Sequence, residues 1–316
     1  MQDNEHIIGR YDGTLPGPLL LVFSGMHGNE LAGVRALEIL FDMLKNEPLV
    51  NPGFVFHGVL LGIRGNLSAI REGKRFICKD LNRQWTPENI ARVRRQEPDQ
   101  LDAEDRELLE LANLVEMAIS HIQPPRIVLI DLHTTSAEGG IFAIATDDPE
   151  SVRIGIAMHA PVITGMLQGI SGTLLHYFTN NNTGGIPAVG IGFEGGQHDD
   201  PLSVNRCIAA IVNCMQSIGC VKAHDVENHH DELLIAYSKG LPRVVDLVEV
   251  HRVYPDDQFT MLPGYHNFQR VKKGQLLAHD RNGPIYAVAT GRILMPLYQP
   301  QGEEGFFLVR TKDAGN

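Results

Sequence analysis

Short, nearly continuous apolar segments alternate with amphipathic segments over roughly the first 220 residues of the chain. Apolar segments rich in β-formers lie at residues 19–23, 54–61, 126–132, 141–146 and 188–193, and helix-like segments lie at residues 30–45, 103–122, 149–159 and 201–218. Continuous rather than alternating apolar strands indicate burial on both faces of a sheet. The alternation of strands with helices therefore predicts an α/β sandwich, with a sheet between layers of helices.

The pattern changes after about residue 221. Short β-like segments at 243–251, 275–278, 285–289 and 305–309 are separated by Gly and Pro turns, with little helical periodicity. This spacing predicts a smaller all-β domain. We place the boundary so that residues 1–224 form the first domain and residues 225–316 the second.

The boundary falls in a hydrophilic stretch, residues 223–232, which holds three His and four acidic residues. An exposed helix or connector is the favoured interpretation, since clustered polar residues commonly form such segments. A metal cluster is the alternative, but nothing in the sequence fixes the geometry of its ligands.

Composition narrows the classes of function. With 43% hydrophobic and 21% charged residues the chain has the composition of a globular protein. The net charge of -11 argues against broad nucleic-acid binding, which needs a basic surface. No apolar segment approaches the roughly 18 residues of a membrane helix, and the polar, acidic start lacks the features of a signal peptide. We expect a cytoplasmic protein that acts on a small molecule, without nucleic-acid or membrane partners; homo-oligomerisation stays open.

Three side chains with metal-binding chemistry lie near predicted strand ends. His27 and Glu30 are three residues apart, where an apolar strand gives way to a helix, and His133 closes a later strand. The ligand crevice of an α/β sheet lies beyond the carboxyl ends of its strands. A catalytic zinc ion takes three such ligands and keeps a fourth position for water. The His-x-x-Glu pair alone is weak evidence, because 14 His and 38 acidic residues produce such pairs by chance.

Four motifs occur in order along the chain. They are His27-Gly28-Asn29-Glu30, the segment from Arg75 to Arg83, Asp131-Leu132-His133-Thr134-Thr135, and Gly192-Phe193-Glu194-Gly195-Gly196. This set resembles the succinylglutamate desuccinylase and aspartoacylase family, which is related to the zinc carboxypeptidases. The resemblance spans most of residues 19–200. It implies a zinc-carboxypeptidase-like sandwich with a mixed sheet, and a C-terminal barrel-sandwich-like domain that covers the mouth of the active site.

The resemblance also implies roles for individual residues. His27, Glu30 and His133 would hold one Zn²⁺ per chain, a set of nitrogen and oxygen donors that suits this metal. Glu194 would act as general base and acid, and Arg75 would polarise the scissile carbonyl or stabilise the tetrahedral intermediate.

Substrate binding is expected to involve three further residues. By the resemblance, Asn82 and Arg83 would hold a substrate carboxylate, and Tyr298 is the nearest candidate for a tyrosine contributed by the C-terminal domain. Two alternatives stay open. Asp80 and Arg83 could pair with each other or cap their loop, and Asp131 could be either a residue that orients a metal ligand or a turn residue at a strand end.

One position departs from the family pattern. Aspartoacylase-like members place an arginine about ten residues before the catalytic glutamate, where this chain has Gly184, and no Lys or Arg occurs between Arg153 and Arg206. Loss of a cation that pairs a buried carboxylate changes substrate choice more than hydrolysis. We therefore expect a substrate other than N-acetylaspartate.

Together these features predict a zinc-dependent hydrolase that cleaves the amide bond of an N-acyl amino acid or a similar small carboxylate. Two alternatives are a zinc carboxypeptidase acting on peptides and a zinc-containing binding protein without catalysis. A C-terminal domain over the cleft disfavours peptides, and the presence of both Glu194 and Arg75 disfavours a pure binder.

Overall fold

The computed structural model describes residues 4–179, 181–223, 225–226, 228 and 230–312. Its strands are β1 (Ile7–Asp12), β2 (Leu15–Ser24), β3 (His57–Arg64), β4 (Ile127–Thr135), β5 (Ile141–Ala145), β6 (Val162–Thr164), β7 (Ala188–Gln197), β8 (Val244–Arg252), β9 (Thr260–Met261), β10 (Arg270–Val271), β11 (Leu276–Asp280), β12 (Gly283–Tyr286), β13 (Gly291–Leu294) and β14 (Glu304–Thr311). Its α-helices are α1 (Ala32–Val50), α2 (Leu67–Glu72), α3 (Pro87–Val93), α4 (Ala103–Ile122), α5 (Pro149–Ala157), α6 (Leu174–Tyr177), α7 (Leu202–Ser217) and α8 (Asp231–Ser238).

A mixed sheet of 11 strands forms the centre of the molecule, in the order β1-β3-β2-β4-β7-β5-β6-β8-β14-β13-β10. Strands β3, β2, β4 and β7 are mutually parallel, while β5 runs antiparallel to β7. The carboxyl ends of β2, β4 and β7 therefore meet at one edge of the sheet, which is where the candidate site residues cluster. The predicted α/β sandwich with a mixed sheet is confirmed.

The central strands are apolar on both faces because helices cover both. In β2, Leu20 and Val22 join the core beneath α1 and α7, whereas Leu19, Leu21 and Phe23 join the core beneath α4. All five side chains are fully buried. This two-sided burial explains why the strand appears in the sequence as an unbroken apolar run.

Helix α4 has clear local determinants and its predicted bounds are confirmed. The Asp102 side chain accepts a hydrogen bond from the Asp105 N–H, and two acidic residues occupy the first turn. The helix ends at Gln123, whose left-handed backbone closes the last turn. By contrast, α1 begins at Ala32 rather than at the predicted residue 30, because residues 27–31 form a tight loop.

Two predicted strand ends lie further along the chain than expected. β4 continues to Thr135 and β7 to Gln197, so His133 and Glu194 lie within strands and do not follow them. The strands continue because β7 remains hydrogen-bonded to β4 on one side and to β5 on the other at this level. The sequence prediction that these residues follow their strands was wrong by a few residues.

After helix α8 the C-terminal segment consists of β-strands, as predicted, and these strands pair antiparallel with one another. Part of it extends the main sheet, since β8 pairs in parallel with β6, and β14, β13 and β10 follow it. The remainder forms a three-stranded sheet, β12-β11-β9. A domain boundary between residues 224 and 225 stays a prediction.

Helix α8 begins at Asp231, within the last two residues of the hydrophilic stretch predicted as an exposed helix or connector. His224, Glu227 and His229 of that stretch lie outside the described residues. Asp231 at the start of α8 accepts hydrogen bonds from Asn213 and contacts His159. In the part of the chain that the structure describes, no helix combines the length and apolar character needed to cross a membrane.

Candidate active site

His27, Glu30 and His133 converge at the carboxyl edge of the sheet. The first two lie in the loop between β2 and α1, and His133 lies in β4, the neighbour of β2. One ligand atom from each lies within 4.8 Å of the others, and all three side chains are buried. Gly28 lets this loop pass against α2, because a Cβ there would lie 2.1 Å from the Ala69 carbonyl carbon.

The Glu30 carboxylate lies between the two imidazoles. Its Oε1 is 2.9 Å from Nδ1 of His27 and its Oε2 is 3.0 Å from Nδ1 of His133. The Thr134 N–H also donates to Oε2, at 3.1 Å. The three residues thus offer ligand atoms close enough together to hold a single metal ion.

A second carboxylate stands behind each histidine. Asp131 Oδ2 is 2.9 Å from Nε2 of His133, and Asp80 Oδ1 is 3.3 Å from Nε2 of His27. Partners of this kind orient a metal-ligating imidazole and make it more basic. The donor set and both outer carboxylates fit a zinc ion. Asp131 takes the orienting position that was one of its two sequence interpretations.

Electrostatics keep the Glu30 carboxylate ionised. Burial raises its pKa, but the charge of His27 and hydrogen bonds from both histidines outweigh burial and hold the pKa well below its usual range. Burial likewise lowers the pKa of His133, yet the charge and hydrogen bond of Asp131 and the contact with Glu30 raise it well above 6.5. The cluster therefore keeps a negatively charged carboxylate between the two imidazoles.

Glu194 lines the same cleft from the neighbouring strand. It lies directly opposite His133 in the register of β4 and β7. Burial raises its pKa to about 8, with a further rise from Glu30 that the charges of His133 and Arg75 oppose. Its Oε2 is buried and has no hydrogen-bond partner among the described residues. A carboxyl group that titrates near neutral pH is suited to proton transfer.

Arg75 is fixed beside the candidate metal ligands. Its Nη2 donates to Asp80 at 2.9 Å and its Nη1 to Glu30 at 3.4 Å. The side chain is only 11% exposed. Burial raises the pKa of Asp80, but the charge of Arg75, with those of His27 and Arg83, holds it well below the usual range.

A buried glutamate holds the loop that carries Arg75 and Asp80. The Glu104 carboxylate, at the start of α4, accepts from the backbone N–H groups of residues 77, 78 and 79 at 2.7, 2.9 and 3.3 Å. It also accepts from Asn66 at 3.0 Å. In the sequence, Glu104 is indistinguishable from an ordinary acidic residue in the first turn of a helix.

Asn82 is engaged on both sides of its amide. Its Nδ2 donates to Asp131 at 3.0 Å, and its Oδ1 accepts from the Leu174 N–H at 2.8 Å. Asn82 therefore links Asp131 to the first residue of helix α6. Its backbone N–H donates to Asp80 at 2.8 Å, so Asp80 does cap this loop, one of the open alternatives.

Arg83 contacts the C-terminal segment. Its Nη2 donates to both oxygens of Glu304, at 2.9 and 2.8 Å. Its Nη1 donates to the Asn82 carbonyl, also at 2.9 Å. Sequence reasoning missed Glu304, because nothing in the sequence relates this residue of β14 to a loop 221 positions earlier.

Tyr298 is not brought to the metal-ligand cluster. Its side chain is 40% exposed, and its hydroxyl donates to the Leu262 carbonyl at 2.7 Å and accepts from the Tyr265 N–H at 2.9 Å. The cleft around the cluster receives Met295, Glu304 and Phe307 from this segment instead. A role for Tyr298 in substrate binding stays a prediction without a supporting contact among the described residues.

Comparison with known proteins agrees with this geometry. Residues 16–210 match the model of the succinylglutamate desuccinylase/aspartoacylase catalytic domain. A probable aspartoacylase from Prochlorococcus marinus (strain NATL2A) is 33% identical over 123 residues, a match that covers 38% of this chain and 35% of that protein. This chain therefore matches only about a third of the length of that relative.

Solved structures share the fold over nearly the whole chain. The succinylglutamate desuccinylase/aspartoacylase from Rhodobacter sphaeroides has a TM-score of 0.64 at 16% identity, covering 95% of this chain and 87% of that one. The succinylglutamate desuccinylase from Chromobacterium violaceum has a TM-score of 0.61 at 18% identity, covering 100% and 96%. The family model spans more than half of the sequence. The chain belongs to the succinylglutamate desuccinylase/aspartoacylase family.

Proposed function

We propose that this chain is a zinc-dependent hydrolase that cleaves the amide bond of an N-acyl amino acid. The observation that carries this proposal is the placement of Glu30 between the Nδ1 atoms of His27 and His133, with Glu194 opposite His133 in the same cleft. Family membership supports a hydrolase of the deacylase class. The relative named a probable aspartoacylase supports the same class.

Bound zinc supplies Lewis acidity, which polarises a carbonyl and makes water more acidic. Glu194 accepts the proton of the attacking water on its buried carboxylate and delivers it to the leaving nitrogen. Burial raises the pKa of Glu194, which favours uptake of the proton from water before the group passes it to the leaving nitrogen. Asp80 and Asp131 keep both imidazoles in the orientation that presents Nδ1.

Arg75 stabilises the negative charge that develops on the carbonyl oxygen. Its guanidinium is already fixed by Asp80 and Glu30, so little reorganisation is needed during the reaction. Its buried Nε has no hydrogen-bond partner among the described residues. The Nε–H of Arg75 is therefore free to donate a hydrogen bond to the carbonyl oxygen as negative charge develops on it.

Asn82 and Arg83 are the predicted carboxylate-binding residues, but the Asn82 amide is already engaged by Asp131 and the Leu174 N–H, so we propose that Arg83 binds the carboxylate of the substrate amino acid. Asn82 and Arg83 both line the cleft. Arg83 Nε has no hydrogen bond among the described residues, and its nearest carboxylate, Glu303, is 3.9 Å away, so one donor remains for a substrate carboxylate although Nη2 is held by Glu304. We further propose that residues 1–224 carry the catalysis and that residues 225–316 cover the cleft, which Met295 and Phe307 support by lining it.

Metal content and turnover test this function. Purified protein should contain about one zinc per chain by elemental analysis, and zinc-loaded protein should release free amino acid from a panel of N-acyl amino acids. Cleavage of a peptide ladder in place of these compounds would favour a carboxypeptidase. Stoichiometric zinc with no turnover of any compound would favour a binding protein.

A further inference from the structure

One side of the cleft is apolar. Besides the metal-ligand cluster and its arginines, the cleft is lined by a group of hydrophobic side chains that we call the apolar wall: Ile144, Met166, Ile170, Leu175, Met295 and Phe307. Most belong to a single hydrophobic cluster between β5 and the C-terminal strands. The wall is thus built by both halves of the chain.

Glycine residues in β7 leave room for this wall next to Glu194. Gly192 lies two positions before Glu194 on the same face of the strand, and it lines the cleft. A Cβ at Gly192 would lie 3.2 Å from Cβ of Ile144 and 3.5 Å from Cδ1 of Leu175. Ile144 and Leu175 therefore pack directly over Gly192, and the surface beside the candidate proton-transfer residue is hydrocarbon.

The cations of the cleft are already paired. Arg83 donates two hydrogen bonds to Glu304, and Arg252 donates a third to the same carboxylate at 3.4 Å. Arg75 donates a hydrogen bond to Asp80. Glu304 is 9% exposed, so this pair is largely shielded from water. A second substrate carboxylate would have to displace Glu304 or remain without a partner, and an unpaired buried charge is costly.

The segment between Arg153 and Arg206 supplies no replacement cation. It contains no Lys or Arg, and the residues it places in the cleft include Met166, Ile170 and Leu175. Gly184 lies in a turn with φ of +66° and is not among the residues that line the cleft.

We propose that the cleft selects N-acyl amino acids that present an apolar group to the apolar wall, and that Glu304 excludes a second carboxylate by holding Arg83. This inference rests on the proposed function, because it names the substrate class of the same site. The apolar group belongs to either the acyl chain or the amino acid side chain, and the two sources are separable by experiment.

The first experiment compares kcat/KM for four compounds on zinc-loaded wild-type protein: N-acetylleucine, N-hexanoylglycine, N-acetylaspartate and N-acetyllysine. We expect N-acetylleucine or N-hexanoylglycine to exceed N-acetylaspartate by about tenfold or more, the discrimination typical of a hydrophobic pocket. Whichever of the two is preferred identifies the source of the apolar group. Preference for N-acetylaspartate or N-acetyllysine would overturn the proposal.

The second experiment tests Glu304. Glu304→Gln keeps the shape of the side chain but removes the charge that holds Arg83, so the ratio of kcat/KM for N-acetylaspartate over N-acetylleucine should rise at least about fivefold. Glu303→Gln is the matched control, because it removes the same charge from the neighbouring position. The Glu303 side chain is 52% exposed, and its carboxylate lies 3.9 Å from Nε of Arg83 without forming a hydrogen bond. Glu303→Gln should leave that ratio unchanged. An unchanged ratio in Glu304→Gln would refute the role of Glu304.

Binding measurements test selection for an apolar group independently of whether the protein hydrolyses the compound. Calorimetric titration of wild-type protein with N-acetylleucine and N-acetylaspartate should show tighter binding of N-acetylleucine. Absence of turnover for all four compounds contradicts the hydrolase, whereas tighter binding of N-acetylaspartate contradicts apolar selection. Thermal unfolding of Glu304→Gln, compared with wild type, shows whether the variant is folded when its ratio is measured.

Discussion

Glu194 lies directly opposite His133, in register across the parallel strands β7 and β4. The pairing places a buried carboxyl group with a pKa near 8 next to an imidazole whose Nδ1 faces Glu30. Two neighbouring strands thus fix both groups, which gives the site more rigidity than loops would. The position of Glu194 relative to His133 follows from this strand register, whereas His27 and Glu30 are placed by the loop between β2 and α1.

Replacement of Glu194 separates proton transfer from metal binding. Glu194→Gln should lower kcat by about 10²–10⁴-fold, the usual contribution of a general base or acid. Zinc content should remain near that of the wild type, because His27, Glu30 and His133 are unchanged. Steady-state kinetics with elemental analysis on the same sample measure both. Full turnover in this variant would exclude the proposed role.

The sequence predicted the α/β core because its strands are apolar on both faces. The sequence also predicted that His27, Glu30 and His133 lie close together, because residues at the carboxyl ends of parallel strands meet at one edge of the sheet. It could not place Asp80 behind His27 or Glu304 against Arg83, because those contacts depend on how a loop and the last strand fold back on the sheet. Likewise, the burial of Glu104 against three backbone N–H groups has no local pattern in the sequence.

Removal of the carboxylates behind the histidines should weaken zinc binding. Asp80→Asn and Asp131→Asn each lose the charge that orients an imidazole, and comparable changes lower metal affinity by about 10–100-fold. Competition with a chromophoric chelator gives the zinc affinity directly. Glu72→Gln, a substitution at a half-exposed side chain, is the control and should leave the affinity unchanged. Equal affinity in all variants would show that neither aspartate supports the metal.

Glu104 should control the position of the loop that carries Arg75. In Glu104→Gln an amide N–H₂ group replaces one acceptor oxygen and faces backbone donors, which leaves buried N–H groups without partners. We expect a loss of about 1–3 kcal/mol in the free energy of unfolding. Activity should also fall at temperatures where the variant is fully folded, because Arg75 and Asp80 lose their support. Urea unfolding and kcat at such a temperature measure the two effects, with Glu88→Gln in the exposed first turn of α3 as control.

Asp105 provides a pH-dependent contribution to stability that is independent of the metal site. Hydrogen bonds from Arg92, at 2.6 and 2.8 Å, are the largest cause of its lowered pKa, and burial opposes them while Lys79 assists. Because the pKa is lower in the folded state, the ionised form stabilises the fold. This stabilisation is fully present above the unfolded pKa of about 3.9 and is lost as the pH falls through the lower folded value.

Asp105→Asn should therefore reduce the free energy of unfolding by about 1–3 kcal/mol at pH 7, the range for hydrogen bonds to charged groups. The difference from wild type should persist down to about pH 5 and shrink below about pH 4, where Asp105 becomes protonated in the unfolded chain. Urea unfolding of both proteins between pH 3 and pH 7 measures it. Asp99→Asn, at an exposed position in the turn before α4, should change neither the stability nor its pH dependence. If the difference in free energy of unfolding between the two proteins stayed constant down to pH 3, Asp105 would contribute through packing and not through its charge. Only an ionised carboxylate whose pKa is lowered by folding makes this difference shrink as the pH falls.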